Sequence, residues 1–320
     1  MQRTARAQPN IALIKYWGKR DTDLNLPAVG SISITLSSLH TDMSIELDGA
    51  LYADQLELNG KPEPRLLPRI STCIDSVLGE TRDRARIRST GNFPVAAGLA
   101  SSASAFAACV VAADALDDVE RSPGALANLA GRASGSAARS LLGGFVELRN
   151  DDAAVHVSTL LAPREWPLEV VVAITSESKK AVGSGEAMEI SRRTSPFYSQ
   201  WLAEQEADLD TARAAVASRD FEALGAIAEH NCLKMHSVMW TSRPPLVYWT
   251  SSTIACMETV RRLRADGVPV FFTIDAGPQV KAVCDPAVTA EVREALAATS
   301  GVLRTLVTPL GEGARLLDTE

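Results

Sequence analysis

The chain has 320 residues, 46% hydrophobic and 22% charged, with a formal net charge of −7 at neutral pH. That length exceeds what one core usually fills, so two domains are expected, and the balance is that of an ordinary soluble globular protein. No apolar run nears the roughly 18–20 residues of a membrane span, and the acidic balance argues against a general nucleic-acid surface. The start carries Arg3 and Arg6 but no long apolar segment behind them, since Lys15 interrupts the run, so a secretion signal is not expected. Cys73, Cys109, Cys232, Cys256 and Cys284 are scattered and form no CxxC pair, and His230 and His236 lie six apart. A disulfide framework or structural zinc site is therefore not expected, and reduced thiols suit a cytoplasmic location.

In chain order, residues 10–18 and 31–36 read as apolar or alternating strands around a turn-rich stretch at 20–30. Residues 43–47 and 55–58 read as a strand pair, the second ending at the hairpin dipeptide Asn59-Gly60. Helical spacing follows over 66–78, then a loop from Ser89 to Pro94, then an Ala-rich helix over about 98–115. Residues 123–142 give two short helical pieces broken at Ser134-Gly135-Ser136, and a strand follows Gly143-Gly144 over 145–148. The second half opens with a buried strand at 168–174 and a Lys/Gly/Ser loop at 178–185, with a helix starting near Glu186. Helices are expected over 197–217, 219–236 and 246–265, a strand over 268–274 ending at Asp275, and a last helix over 287–298. This irregular alternation predicts an α+β fold, divided near residue 165 into domains of 1–165 and 166–320.

Five segments could carry chemistry. Pro94-Val-Ala-Ala-Gly98-Leu-Ala-Ser101-Ser102-Ala-Ser104 would deliver serines into a helix start, where free N–H groups and the helix dipole favour phosphate; it is not a Walker A loop. A glycine turn before a serine-capped helix fits the same residues. Lys15 sits in a strongly apolar run, costly unless paired, although it could also point outward from a half-buried strand. Ser134, Ser136 and Arg139 could converge on a phosphate, with the planar guanidinium suited to a forked contact, or form a capped helix with a surface arginine. Asp275, between a buried strand and Ala276-Gly277-Pro278, stands where active-site residues project, or simply starts a turn. Lys179-Lys180 with Gly183-Ser184-Gly185 could close over a nucleotide or remain a solvated loop.

In this order the segments resemble the mevalonate diphosphate decarboxylases, within the superfamily of galactokinase, homoserine kinase, mevalonate kinase and phosphomevalonate kinase (the GHMP kinases). The stretch from Asn10 to Asp21 is similar to the decarboxylase signature, Pro94–Ser104 to the superfamily's ATP-phosphate motif, Ser134–Ser140 to the substrate loop and Asp275–Pro278 to the catalytic segment. The resemblance runs from Asn10 to Val280, leaving the last forty residues without a match. It implies two GHMP-kinase-like α+β domains with the active site in the cleft between them. It also implies conversion of ATP and (R)-mevalonate 5-diphosphate to isopentenyl diphosphate, CO2, ADP and phosphate, and assembly as a homodimer. By the same likeness Asp275 is the catalytic carboxylate beside the substrate 3-hydroxyl, as base or orienter, and Lys15 holds it ionised. Tyr16, Lys19, Ser134, Ser136, Arg139 and Arg192 match substrate-holding positions. Gly98, Ser101, Ser102, Ser104 and Lys180 match positions around the phosphates of ATP, with Mg2+ bridging phosphate oxygens through ligands that the likeness does not specify.

Such chemistry suits a cationic pocket. Phosphorylating a tertiary hydroxyl creates a leaving group, its departure builds positive charge at the tertiary carbon, and loss of CO2 quenches that charge. The pocket must hold three anionic groups without over-stabilising the ground state. Two departures bear on the substrate: Val29-Gly30 stands where the family commonly has an Asn, and Gly183-Ser184-Gly185 where a Ser-Ser-Thr run is common. Decarboxylation of mevalonate 5-phosphate and 3-hydroxyl phosphorylation without decarboxylation are the neighbouring activities. A silent anion sensor is the alternative of a different class.

Overall fold

The computed structural model describes residues 1–93, 101–150, 154–178 and 180–318. Three larger sheets organise it. The first has six strands in the order Arg315–Leu317, Gln2–Ala7, Thr41–Leu47, Ala85–Gly91, Gln55–Leu58 and Lys61–Pro62. Its apolar face packs on the helices Leu67–Leu78, Ser101–Asp114 and Pro123–Ala133. Ser101–Asp114 is apolar on nearly every side, with nine residues buried from Ala103 to Ala113, as a central helix must be.

The second sheet has four strands, Val155–Leu161, Phe145–Asn150, Ser31–Thr35 and Asn10–Ile14. The third, Val270–Thr273, Val280–Cys284, Glu169–Ile174 and Arg304–Pro309, belongs to the second half of the chain. Between these two sheets lies the helical hairpin of Tyr198–Ser218 and Phe221–Trp240, and one core joins Ile11, Ile34, Leu209, Leu224, Val170 and Phe271. The helices Ser251–Ala265 and Thr289–Ala297 cover the other face of the third sheet. Covered on both faces, its strands Glu169–Ile174, Val270–Thr273 and Val280–Cys284 are buried at nearly every position, which explains the mainly apolar runs at 168–174 and 268–274.

The α+β expectation holds, with three corrections. Residues 43–47 and 55–58 do not pair with each other, because Ala85–Gly91 lies between them, antiparallel to one and parallel to the other. The parallel neighbour needs a crossover, which Leu67–Leu78 supplies, and local sequence carries no trace of that long-range choice. Asn59-Gly60 does form a hairpin, both residues having positive φ, but the partner is Lys61–Pro62. The loop expected from Ser89 begins only after Gly91. The last forty residues, without distinguishing marks in the sequence, furnish an edge strand to each half: Arg304–Pro309 beside Glu169–Ile174, and Arg315–Leu317 beside Gln2–Ala7.

Candidate active site

Asn10–Ile14 is the edge strand of the second sheet, and its register against Ser31–Thr35 shifts between Ala12 and Ile14. Such irregularities re-aim side chains. The Ala12 carbonyl accepts hydrogen bonds from Lys15 Nζ at 2.8 Å and Thr273 Oγ1 at 3.0 Å. Lys15, 1% exposed, thus points into the protein, where Nζ meets Asp275 Oδ1 at 2.8 Å. Asp275 follows the strand Val270–Thr273 at a tight turn in which the Gly277 amide donates to its carbonyl. Thr273 is in register with Lys281 on the next strand, and Lys281 Nζ reaches Asp275 Oδ2 at 3.2 Å.

The carboxylate therefore sits between two buried ammonium groups. Burial pushes the Asp275 carboxyl up, but Lys15 and Lys281 outweigh it and hold it well below the usual carboxylate range. Burial pushes the Lys281 ammonium down, with Asp275 pulling it back up. Lys281 is a site residue that the sequence reading missed. The available signal was a lysine inside the apolar run Val280–Cys284, the same signal that singled out Lys15.

Above this trio opens a cleft of about 760 Å³ lined by both halves of the chain. Among the described residues its charged lining is Lys15, Lys19, Arg69, Arg132, Arg139 and Lys180 against only Asp23 and Asp275. The chain as a whole is acidic and the cleft is cationic, so the anion preference is local.

Arg139 lies on a short 3-10 turn, Ala137–Leu141, and is buried, which removes the surface-arginine reading. Its Nη1 donates to Ser31 Oγ at 2.6 Å, while Nε and Nη2 donate to Asn10 Oδ1 at 3.3 and 3.1 Å. Burial pushes its guanidinium down to about 10, with Asp275 and Tyr16 acting the other way, so it stays cationic at neutral pH. The Tyr16 hydroxyl is buried without a hydrogen-bond partner among the described residues, and burial pushes the phenol up. Gly135 makes room for that ring: a Cβ there would stand 2.5 Å from the Tyr16 oxygen. Lys19 also lines the cleft, its ammonium pushed down by burial and by Arg69.

Ser101 and Ser102 open the buried helix at the cleft wall, and Ser134 Oγ stands 3.5 Å from Ser102 Oγ, so the two serine-bearing segments meet. Ser136 lines the cleft beside them, its carbonyl accepting from Asn10 Nδ2. Lys180 Nζ donates to Ser184 Oγ at 2.7 Å and to the Ala276 carbonyl at 3.2 Å, tying its loop to the Asp275 turn. Gly98 and Lys179 lie outside the described residues.

Two expected positions are not brought to the cleft. Ser104 is fully buried a turn inside the helix, bonded to Thr41 Oγ1 at 2.8 Å and to the Ser101 carbonyl, so its hydroxyl is used by the core. Arg192 lies a turn beyond Met188 on the helix Ser184–Thr194, and its guanidinium makes a forked pair with Glu189 at the half-exposed surface.

Residues 7–159 match the diphosphomevalonate decarboxylase-like N-terminal domain, and residues 170–305 match the mevalonate 5-diphosphate decarboxylase C-terminal domain. Diphosphomevalonate decarboxylase mvd1 of Aspergillus fumigatus is 37% identical over 305 residues, spanning 86% of this chain and 74% of that protein. The diphosphomevalonate decarboxylase of Homo sapiens is 33% identical, over 86% of this chain and 74% of the human one. Among solved structures, a complex of MDDEF with MVAPP, AMPPCP and magnesium superposes with a TM-score of 0.91 at 33% identity, covering 100% of this chain and 99% of that one. The mevalonate diphosphate decarboxylase of Staphylococcus aureus gives 0.90 at 34% identity, covering 99% of this chain and 98% of that one. With both halves matched in order and the two-domain GHMP-kinase-like fold shared along its length, this chain belongs to the diphosphomevalonate decarboxylase family.

Proposed function

We propose that the chain is an ATP-dependent decarboxylase of (R)-mevalonate 5-diphosphate, working in this cleft with Asp275 and Lys15 as catalytic residues. The observation that carries the proposal is the Asp275 carboxylate clamped between Lys15 and Lys281 at the floor of a cationic cleft. The substrate 3-hydroxyl oxygen attacks the terminal phosphorus of ATP as its proton leaves, and ADP departs. The C3–O bond then breaks with its electron pair going to phosphate. The bond to the carboxylate gives its pair to the new C=C, and CO2 leaves with isopentenyl diphosphate as product.

A carboxylate held so far down is a weak ground-state base. Asp275 therefore orients the hydroxyl and accepts its proton only as the P–O bond forms. Lys15 stabilises negative charge as it develops on the transferring and departing phosphoryl group. Arg139 and Tyr16, with Ser134, Ser136 and Lys19 beside them, hold the substrate's carboxylate and diphosphate through charge-assisted bonds. Ser101 and Ser102 at the helix start, with Lys180 opposite, face the phosphates of ATP. No cluster of three His, Cys, Asp or Glu exists among the described residues. Hydroxyls and phosphate oxygens are the hard donors that Mg2+ accepts, so Ser101 and Ser102 fit the ion bound with ATP, where it neutralises phosphate charge. Cytoplasmic location, which the free cysteines suit, and assembly as a homodimer, which rests on family likeness, belong to the proposal, and sedimentation of the chain tests the latter.

Turnover with the 5-diphosphate and 5-monophosphate side by side, following ADP and CO2 separately, is the test. The diphosphate should give the higher kcat/KM, since each charged hydrogen bond to the terminal phosphate contributes about 1.5–3 kcal/mol. Preference for the monophosphate would make the enzyme a mevalonate 5-phosphate decarboxylase. ADP without CO2 would make it a 3-kinase.

A further inference from the structure

The backbone of Lys15 is gripped from both sides by side chains of the helical hairpin. Lys15 is the first residue past the edge strand Asn10–Ile14, whose pairing ends at Ile14 with Ile32, so among the described residues its N–H and C=O lie outside the strand ladder. Asn231 Oδ1 accepts from the Lys15 amide at 2.7 Å, and Gln205 Nε2 donates to the Lys15 carbonyl at 2.8 Å. Asn231 Nδ2 closes the ring by donating to Gln205 Oε1 at 2.9 Å, and its second hydrogen goes to Asp208 Oδ2 at 2.6 Å. Asp208 is in turn held by Lys234 Nζ at 2.9 Å. Asn231 is fully buried, Gln205 is 2% exposed and Asp208 is 8% exposed.

The chemistry of these groups leaves one arrangement. The Lys15 amide can only donate, so Asn231 must present its oxygen; its nitrogen then faces Gln205, which must present its own oxygen and give its nitrogen to the Lys15 carbonyl. Each amide atom in the ring is used, and a ring satisfied in this way in a dry interior is rigid. The ring fixes the peptide planes on both sides of Lys15 and with them the direction in which its side chain leaves the backbone. Gln205 and Asp208 lie three residues apart, and Trp201 one turn earlier donates from Nε1 to the Trp17 carbonyl at 2.9 Å. One face of a single helix thus holds the backbone beneath Lys15 and the two residues after it.

We propose that Gln205 and Asn231 are positioning residues for the reaction: by bonding both backbone groups of Lys15 they set its ammonium against Asp275. This rests on the proposed catalytic role of the Lys15–Asp275 pair. None of these amides lines the cleft, so they touch neither the substrate nor ATP.

The test is Gln205→Glu, which keeps size and the oxygen facing Asn231 but sets an oxygen against the Lys15 carbonyl. It is made in the full chain alone and in combination with Lys15→Met. A misplacement of a reacting group on the ångström scale costs about 10²-fold, so kcat should fall about ten- to hundred-fold with KM for both substrates little changed. In the Lys15→Met background the same change should produce almost no further loss, because the group it positions is gone. Wild-type kcat in Gln205→Glu, or an equal fractional loss in both backgrounds, would overturn the proposal in favour of a packing role. Where Gln205→Glu does not yield folded protein, Gln205→Met takes its place with the same two outcomes, since it removes the polar end without burying a charge. If Lys15→Met itself kept wild-type turnover, the catalytic assignment would fail. Loss in Lys15→Met without loss in the Gln205 variants would sink the clamp alone.

Discussion

Lys281 Nζ lies 3.2 Å from Asp275 Oδ2, across the carboxylate from the oxygen that Lys15 Nζ holds at 2.8 Å. With two cations against it, the carboxyl stays ionised throughout the neutral range, so wild-type kcat/KM should show no acid limb from Asp275 at mildly acidic pH. In Lys281→Met, burial opposes only one ammonium and the carboxyl rises. Since the ionised form is the active one and exists above that value, the acid limb should move to higher pH, and kcat at neutral pH should fall about 10²-fold. The measurement is a pair of pH–rate profiles; superimposable curves would make Lys281 a bystander.

Asp275→Asn removes the charge and nearly preserves the shape. Loss of proton acceptance and of orientation together should lower kcat at least about 10³-fold, with ATP still binding. Lys15→Met should act in the same direction, and the double variant should be little worse than the poorer single one, as for groups working as a unit. ADP and CO2 release by the three variants checks this. More than a tenth of wild-type turnover in Asp275→Asn would leave Asp275 as a turn residue.

Arg139→Lys keeps the charge but cannot reach both Ser31 Oγ and Asn10 Oδ1 while facing the cleft. A fall in kcat/KM of about ten-fold or more is expected. Because the guanidinium is buried, stability should drop as well, by about 1–2 kcal/mol, as Asn10 loses a partner. Denaturant titration beside steady-state kinetics separates the two effects. A lysine variant unchanged in both would show that the fork has no role.

Acid stability should depend on Asp54, which precedes the strand Gln55–Leu58 at the cleft wall. Burial pushes its carboxyl up, and hydrogen bonds from Arg82, Ser71 and the Ala85 amide outweigh that and hold it at about 2. A depressed carboxyl stabilises the fold above its unfolded value of about 3.9, and that contribution fades as pH falls through about 2. Asp54→Asn should therefore cost about 1–2 kcal/mol at neutral pH, allowing for solvent screening, and the gap from wild type should close in strong acid. Unfolding curves across the acid range would show it; a gap independent of pH would point to packing instead.

Most of the site was legible in the sequence because its elements are local. Lysine in the apolar run at 15, serines at a helix start at 101 and 102, and aspartate at the end of a buried strand at 275 each break the pattern around them. The helix at 101–114 and the two pieces at 123–133 and 137–141 were likewise set by composition and by the break at Gly135. Ser104 and Arg192 stand away from the cleft because a motif fixes position along the chain but not the side-chain partner: Ser104 bonds Thr41 of a distant strand, and Arg192 pairs with Glu189 three residues earlier on its own helix.

Sequence alone determined that this chain would be an α+β protein with serines at a helix start and a lysine set in an apolar run, since propensity, periodicity and the cost of burying charge act over a few residues. Only the tertiary structure decided that Ala85–Gly91 separates two strands expected to pair, that the last strand returns to the first, and that Lys281 closes on Asp275 while Asn231 and Gln205 close on Lys15. Apart from Lys281 and Asp275, which meet across one pair of successive strands, those contacts join residues tens to hundreds of positions apart. Strand register, sheet order and the packing of the helical hairpin bring them together, and no local pattern encodes any of the three.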